Sequence, residues 1–181
     1  MGFDIGILDF IQLYLRCDFL DTVMPLITML GNGGILWILV CLVLLISPKT
    51  RKIGLVVMLA LILEALCCNV ILKPLIARVR PFDVNTAVQL LISKPRDFSF
   101  PSGHTGASFA VVGALYFSKH RLWIPSLIIS ILIAFSRLYL YVHYPTDVLA
   151  GALIGILAGW LGWVIAQRIE RRSQGHHSEA L

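Results

Sequence analysis

Long apolar stretches, separated by shorter polar connections, run through most of the chain. A helix of about 20 apolar residues crosses the hydrocarbon core of a bilayer. Five stretches approach this length: residues 22–46, 53–72, 103–118, 122–142 and 145–167. The first is interrupted by Gly31-Asn32-Gly33-Gly34, which predicts a break in its helix. The pattern therefore predicts a polytopic transmembrane helical bundle with five spans.

The first 17 residues follow a different pattern. Apolar residues recur at helical spacing, and the other side carries Asp4, Asp9 and Gln12. This is typical of an amphipathic helix that lies on the membrane surface. We therefore expect an all-α fold in which five spans and this interfacial helix form a six-helix core. A single domain accounts for the chain: the interfacial helix at 1–17, the bundle at 22–167 and a cytoplasmic tail at 168–181.

Composition argues against a soluble globular protein. Of 181 residues, 58% are hydrophobic and 14% are charged, whereas soluble domains are about 25% charged. The net charge of +5 does not indicate a nucleic acid partner, because Lys and Arg lie at the ends of apolar segments. The four cysteines lack metal-binding spacing, and three of them lie inside apolar stretches, where a thiol behaves as a small apolar residue. A cleaved signal peptide is not expected, because Asp4 and Asp9 stand where its basic region would be.

Three polar clusters fall at span ends on one membrane face: KPLIARVRP at 73–81, PSGH at 101–104 and SRLYLYVHYPTD at 136–147. The polar connection 73–102 is the longest in the chain, which favours a functional loop. With the cations of the clusters set aside, more Lys and Arg residues remain on the opposite face, together with the C-terminus. By the positive-inside rule, that face is cytoplasmic and the clusters face the extracytoplasmic side of a plasma membrane.

The residue types in these clusters suit a phosphoryl group. Lys73 supplies a point charge, while Arg80 and Arg137 supply planar forks for phosphate oxygens. Lys73 and Arg80 are about two helical turns apart, so both can lie on one side of a helix end. Ser102 and Gly103 open a helix, where free backbone N–H groups favour an anion. The clusters therefore predict a phosphate-binding site.

The histidines add catalytic chemistry to that site. His143 can act as a nucleophile toward phosphorus, with Asp147 four residues later accepting its second N–H. His104 can protonate the leaving oxygen and later activate water. This predicts a phosphohydrolase that needs no metal and no other cofactor.

Each of these residues has a simpler interpretation when taken alone. Lys73 and Arg80 can be anchors at a helix end, and His143 with Asp147 can be a structural pair. Zinc binding is disfavoured, because a His-Glu-x-x-His pattern is missing from the sequence and three cations would repel the metal. Arg137 is harder to dismiss, because charge inside an apolar span is costly and usually functional. Taken jointly, the simpler interpretations become improbable.

The three clusters together resemble the signature of the type-2 phosphatidic acid phosphatase superfamily, which includes membrane lipid phosphatases, glucose-6-phosphatase and vanadium haloperoxidases. The matching motifs are Lys73-x6-Arg80-Pro81, Pro101-Ser102-Gly103-His104 and Ser136-Arg137-x5-His143-x3-Asp147. The resemblance implies a phosphohistidine on His143, Asp147 orienting His143, and His104 as the acid. It also implies phosphate contacts from Lys73, Arg80, Ser102, Gly103 and Arg137.

The predicted function is that of an integral-membrane lipid phosphatase. Undecaprenyl diphosphate is the first expected substrate, because compact members of the family resemble the phosphatases of lipid-carrier recycling. Phosphatidylglycerol phosphate and phosphatidate are alternatives. A lipid phosphotransferase using the same site and a non-catalytic anion-binding module are two further alternatives.

Two features outside the clusters remain. Glu64 lies midway along the second span, and a structural carboxyl is favoured over a functional one. Gly151, Gly155 and Gly159 form a small-residue stripe that allows close helix packing. Packing within the monomer is favoured over a homodimer seam.

Overall fold

The computed structural model describes residues 2–178, with side chains described as far as residue 172. Over the described range the regular secondary structure is helical and includes no strand. The all-α prediction is confirmed for this part of the chain. The predicted tail begins within the last helix, and residues 179–181 lie outside the described range, as do the side chains of His176 and His177.

Residues 2–178 contain nine α-helices, joined in places by other helical turns, and a connection without helix over residues 85–102. The helices are α1 (Gly2–Phe10), α2 (Asp18–Leu30), α3 (Ile35–Ile46), α4 (Arg51–Ala65), α5 (Lys73–Ile76), α6 (Pro81–Val84), α7 (Gly103–Phe117), α8 (Trp123–Tyr139) and α9 (Pro145–Ser178). Wider π-helical turns extend α1 over Ile11–Leu15 and connect α4 to α5 over Leu66–Leu72.

The N-terminal segment is helical over residues 2–15, its polar side contacts the rest of the protein, and its position at the membrane surface stays a prediction. Asp9 Oδ1 accepts a hydrogen bond from the Tyr141 hydroxyl at 2.7 Å, and Gln12 Nε2 donates to the Tyr139 carbonyl at 2.7 Å. Phe3 and Leu13 are exposed on the other side. An amphipathic pattern shows that a helix has two different faces, but not which surroundings each face meets.

The break predicted at residues 31–34 is confirmed. Gly33 and Gly34 have φ values of 58° and 68°, in the left-handed region that glycine adopts without steric cost. As a result α2 and α3 meet at an angle of 42°. The bend brings the connecting residues toward the first turn of α7.

All five predicted apolar segments are helical, but the count of five spans is not confirmed. Within the described residues, Arg51–Val84 and Pro145–Arg172 are long and apolar enough to cross a membrane. The bent pair Asp18–Leu30 and Asn32–Ile46 makes a third if it counts as one span. α8 is a shorter apolar helix, and α7 has 15 residues, most of them buried inside the bundle.

Helix α7 lies at the centre and packs most closely against α9. A Cβ atom placed on Gly155 would lie 2.4 Å from the Gly106 carbonyl oxygen, and one on Gly159 would lie 2.5 Å from the Ala114 nitrogen. The small-residue stripe therefore packs within the chain, as predicted. This close approach holds the start of α7, with PSGH before it, against the start of α9.

We expect Gly155→Ala to destabilise the protein, because its methyl group meets the backbone of α7. Overpacking of this kind costs about 1–3 kcal/mol, so Tm in detergent should fall by roughly 5 °C. Gly6→Ala is the matched control, since a Cβ on Gly6 has nothing within 4 Å. Equal Tm values for the two variants would contradict the proposed packing of α7 against α9.

Candidate active site

The predicted site residues converge on one cavity of about 480 Å³ at the end of the bundle. It lies where the start of α7 meets the ends of α2, α8 and the 85–102 connection. The predicted residues on its wall are Lys73, Arg80, Gly103, His104, Arg137 and His143. Ser102 and Asp147 are fully buried behind this wall.

His143 lies in the loop between α8 and α9 and is only 1% exposed. Its Nε2 is 3.3 Å from Arg80 Nη1. Because a guanidinium only donates, Nε2 carries the lone pair and Nδ1 carries the proton. Burial lowers the pKa of His143 to about 3, partly opposed by Asp147 and reinforced by Arg137 and Arg80. His143 is therefore neutral near pH 7, the form that a nucleophile needs.

Asp147 lies in the first turn of α9, with Oδ2 3.5 Å from His143 Nδ1. Within the described residues His143 Nδ1 makes no hydrogen bond, and 3.5 Å is longer than such bonds usually are. Contacts of this kind often tighten when substrate binds. Oδ2 accepts from Ser99 Oγ at 2.5 Å and from the Tyr144 backbone N–H at 3.0 Å. Oδ1 accepts from Arg78 Nη1 at 2.5 Å. The carboxylate is thus held on both oxygens.

The start of α7 is built by Ser102 and Gly103. The Ser102 hydroxyl accepts from the Thr105 backbone N–H at 3.4 Å and lies 2.9 Å from Thr105 Oγ1, so it caps the helix. A Cβ on Gly103 would lie 3.7 Å from Lys73 Nζ, which places the ammonium beside this helix start. Gly103 therefore stands on the wall beside a cation, whereas the Ser102 hydroxyl has a structural contact; a phosphate contact by Ser102 stays a prediction.

His104 is held by the glycine break between α2 and α3. Its Nε2 lies 2.9 Å from Asn32 Oδ1. A Cβ on Gly31 would lie 2.7 Å from His104 Cδ2, so the imidazole packs directly on that glycine. The sequence showed a helix break at these residues, but it carried no signal that they contact His104.

Lys73 and Arg80 meet, although not as residues of one helix. α5 ends at Ile76, Ala77 has a left-handed φ of 47°, and Arg80 is the residue before α6. The two cations do meet, but the predicted reason, helical spacing, was wrong. Arg80 reaches the site from its own short segment, where Nη1 donates to the Val142 carbonyl at 2.6 Å.

Arg137, at the end of α8, is 3% exposed. Its Nη1 donates to Thr28 Oγ1 at 2.6 Å. Within the described residues, no atom accepts a hydrogen bond from its Nε. Since the residue lies on the cavity wall, part of its fork remains available to an anion.

Asp97, which the sequence did not assign to the site, bridges two of the cations. Its Oδ1 accepts from Arg80 Nη2 at 2.7 Å, and its Oδ2 is bonded to Lys73 Nζ. Burial raises the pKa of Asp97, but Lys73 and Arg80 outweigh burial and bring the pKa well below its ordinary value. The carboxylate therefore lies where two predicted phosphate ligands meet, and it remains charged at ordinary pH.

A second cavity, of about 340 Å³, adjoins the first and shares Lys73, Asp97, Gly103 and His104 with it. Its other walls are largely apolar and include Ile38, Leu61 and Ala107. Glu64 also lies on its wall and is 2% exposed. The polar site therefore has an apolar neighbour inside the bundle.

Metal ions are usually held by three or more His, Cys, Asp or Glu side chains. Where side chains are described, no group of three such residues is arranged to hold a metal ion. The prediction that the chemistry needs no metal is left to the assay with chelator proposed below.

Comparison with known proteins places this geometry in a family. Residues 51–171 match the model of the PAP2 superfamily. An undecaprenyl-diphosphatase of Sulfolobus acidocaldarius is 33% identical over 92% of this chain and 79% of its own length. The undecaprenyl-diphosphatase BcrC of Bacillus subtilis is 32% identical over 78% of this chain and 72% of its own.

A solved structure shows a related fold. The crystal structure of a transmembrane PAP2-type phosphatidylglycerolphosphate phosphatase from Bacillus subtilis matches with a TM-score of 0.75 and 31% identity. The match covers 93% of this chain and 86% of that one. On the family match and these relatives, the chain belongs to the PAP2 superfamily and is one of its membrane lipid phosphatases.

Proposed function

We propose that this phosphatase hydrolyses undecaprenyl diphosphate to undecaprenyl phosphate and inorganic phosphate. One observation carries the catalytic part of the proposal: two histidines and three cations, listed above, line a single cavity. Anion binding alone would need only the cations. A neutral, oriented imidazole beside them favours nucleophilic chemistry.

In the proposed reaction, His143 Nε2 attacks the terminal phosphorus as the bond to the leaving oxygen breaks. His104, which starts as an imidazolium, gives a proton to that oxygen, and the carboxylate of Asp147 stabilises the positive charge that develops on the His143 ring. Water, deprotonated by His104, then breaks the phosphorus–nitrogen bond and releases phosphate. The two half-reactions return both histidines to their starting states.

The cations act on the transferred group. Phosphoryl transfer depends mainly on positioning and on stabilising charge at the nonbridging oxygens. Lys73, Arg80 and Arg137 supply that charge, together with the backbone N–H groups at the start of α7, near Gly103. Their burial strengthens each contact, because water does not screen it.

The apolar second cavity supports a lipid substrate. It shares Lys73 and His104 with the reactive cavity, so a lipid phosphate can place its phosphate on the cations and its chain toward Ile38 and Leu61. The names of two relatives favour undecaprenyl diphosphate. Phosphatidylglycerol phosphate is the alternative, because the solved relative is named for that activity. Transfer to a second lipid would use the same phosphohistidine.

We also propose the topology. Five apolar segments cross a plasma membrane, α1 lies at its surface, and the whole chain forms one domain. Lys49, between α3 and α4, and Arg51 and Lys52, at the start of α4, mark the cytoplasmic side together with the C-terminus. The cavity then opens on the extracytoplasmic side.

Purified protein in detergent should release phosphate from undecaprenyl diphosphate faster than from phosphatidylglycerol phosphate, phosphatidate or a soluble sugar phosphate. Excess chelator should leave the rate unchanged, and a well-folded His143→Ala should lose essentially all activity. The measurement is phosphate release at matched substrate concentrations. A different rank order would change the substrate, while full activity of His143→Ala would remove the proposed nucleophile.

His104→Ala should separate the two half-reactions. With a lipid monophosphate, we expect kcat to fall by about 10²–10⁴-fold, because the leaving alkoxide needs a proton. The leaving group of para-nitrophenyl phosphate does not need a proton. With this substrate, rapid mixing should show a burst of nitrophenol, followed by slow hydrolysis of the phosphohistidine. Equal losses on both substrates without a burst would contradict the role of His104.

Asp97→Asn should strengthen binding of inorganic phosphate, because the native carboxylate competes for Lys73 and Arg80. We expect the inhibition constant for phosphate to fall about tenfold, equivalent to ~1.4 kcal/mol. The low pKa of Asp97 keeps the carboxylate charged, so the gain should be similar from pH 6 to 8. Asp83→Asn is the control, since Asp83 lies 3.9 Å from Lys94 in the same connection. Weaker phosphate binding in Asp97→Asn would contradict the competition.

A further inference from the structure

A chain of hydrogen bonds leads from the N-terminal helix to Asp147 through one arginine. Arg78 Nη1 donates to Asp147 Oδ1 at 2.5 Å, and Nη2 donates to Asp4 Oδ2 at 2.8 Å. Arg78 lies between the two cations of the first motif, and Asp4 lies 143 positions before Asp147. The reaction proposed above gives a role to neither Asp4 nor Arg78.

Asp4 is built into this position. Its Oδ1 accepts from the Thr146 backbone N–H at 3.2 Å and its Oδ2 from the Thr146 hydroxyl at 2.8 Å. Burial raises the pKa of Asp4, but hydrogen bonds from Arg78 and Thr146 outweigh burial, and the net pKa lies below the ordinary value. Asp4 is therefore a charged carboxylate, 6% exposed, that ties α1 to the first turn of α9.

The guanidinium of Arg78 is held on its face as well as at its edge. Its central carbon lies 3.8 Å from the centre of the Tyr144 ring, within the range of a cation–π contact. Two carboxylates and one ring therefore fix the planar guanidinium directly behind His143 and Asp147. A flexible lysine cannot bridge two acceptors in this way.

We propose that Arg78 and Asp4 are positioning residues, which hold the Asp147 carboxylate so that its other oxygen faces His143. This inference rests on the roles proposed for His143 and Asp147. Arg78 donates a hydrogen bond to Asp147 Oδ1, and Asp147 Oδ2 is directed toward His143 Nδ1. Asp4 in turn fixes the guanidinium of Arg78 and offsets its positive charge. The N-terminal helix is thereby part of the active site rather than a membrane anchor alone.

The two residues have opposite electrostatic effects on His143. The positive charge of Arg78 draws on Asp147 and disfavours an imidazolium, whereas the negative charge of Asp4 compensates Arg78. The other charged or titratable groups that line the cavity with His143 are Lys73 on α5, Arg80 before α6, Asp97 in the connection before α7, His104 on α7 and Arg137 on α8. These groups are unchanged in variants of Asp4 and Arg78. A comparison of each variant with the parent protein therefore reports the effect of Asp4 or Arg78 alone.

The test measures kcat and KM for Asp4→Asn and Arg78→Gln on undecaprenyl diphosphate and on phosphatidate. Misplacement of a catalytic group by about 1 Å costs about 100-fold in rate. We therefore expect kcat to fall about 100-fold in Arg78→Gln and about tenfold in Asp4→Asn, with KM nearly unchanged. The double variant should be no slower than Arg78→Gln alone, since both changes interrupt the same hydrogen-bond chain from Asp4 through Arg78 to Asp147.

Asp9→Asn is the matched control. Asp9 is an acidic residue of the same helix, and it bonds to the Tyr141 hydroxyl instead of the dyad. Its kcat should stay within about twofold of the parent value. His143→Ala is measured beside it, so that a wrong nucleophile is recognised separately: activity in that variant overturns the reaction, and with it this inference.

The pH profile of kcat distinguishes positioning from simple loss of structure. The acid limb reports protonation of the nucleophile in the substrate complex. It should move to higher pH in Arg78→Gln and to lower pH in Asp4→Asn. A decrease in folded protein lowers the plateau but does not move the limb, so the profile remains decisive if a variant folds poorly. Limbs that do not move, or a kcat of Asp4→Asn equal to that of Asp9→Asn, would overturn the proposal.

Discussion

Repulsion among buried cations is the constraint on which the rest of this site depends. Arg80 and Arg137 are each 3% exposed, and the ammonium of Lys73 lies near them on the same cavity wall. Buried charge is tolerated only when it is paired or bonded. Asp97 pairs with Arg80 and Lys73, while the Val142 carbonyl and the Thr28 hydroxyl accept hydrogen bonds from Arg80 and Arg137. Connections and helix ends around the cavity are therefore positioned to bind these cations.

Close helix packing turns these separate contacts into one site. Because glycines of α9 lie directly against the backbone of α7, the starts of the two helices come together. The Ser102 N–H donates to the Asp147 carbonyl at 3.1 Å, which links the second motif to the third by backbone alone. The helix that carries His104 and the loop that carries His143 are thereby held in fixed relation.

Much of the site could be predicted because its residue types are unusual where they occur. Arg137 in an apolar span and histidines at span ends are costly unless they are used, and motif spacing relates them. Asn32, Ser99 and Asp97 could not be found in this way, because Asn32 stands in a glycine-rich break and the other two in a loop, where polar residues are ordinary. Their partners are distant in sequence, and no periodicity reports such a contact. The same limit applies to α1, whose amphipathic pattern does not report that its polar side contacts distant residues of the chain.

The contacts of the first 34 residues have a consequence for how such proteins are recognised. The matched family region begins at residue 51 and contains every motif residue. Yet Asn32 contacts His104, Thr28 binds Arg137, and Asp4 binds Arg78, the arginine behind Asp147, all from outside that region. A chain that kept the three motifs but exchanged its N-terminal segment would still score as a family member, with its catalytic groups deprived of their supports. Motif content therefore reports descent, whereas working geometry must be judged from the segment that precedes the motifs.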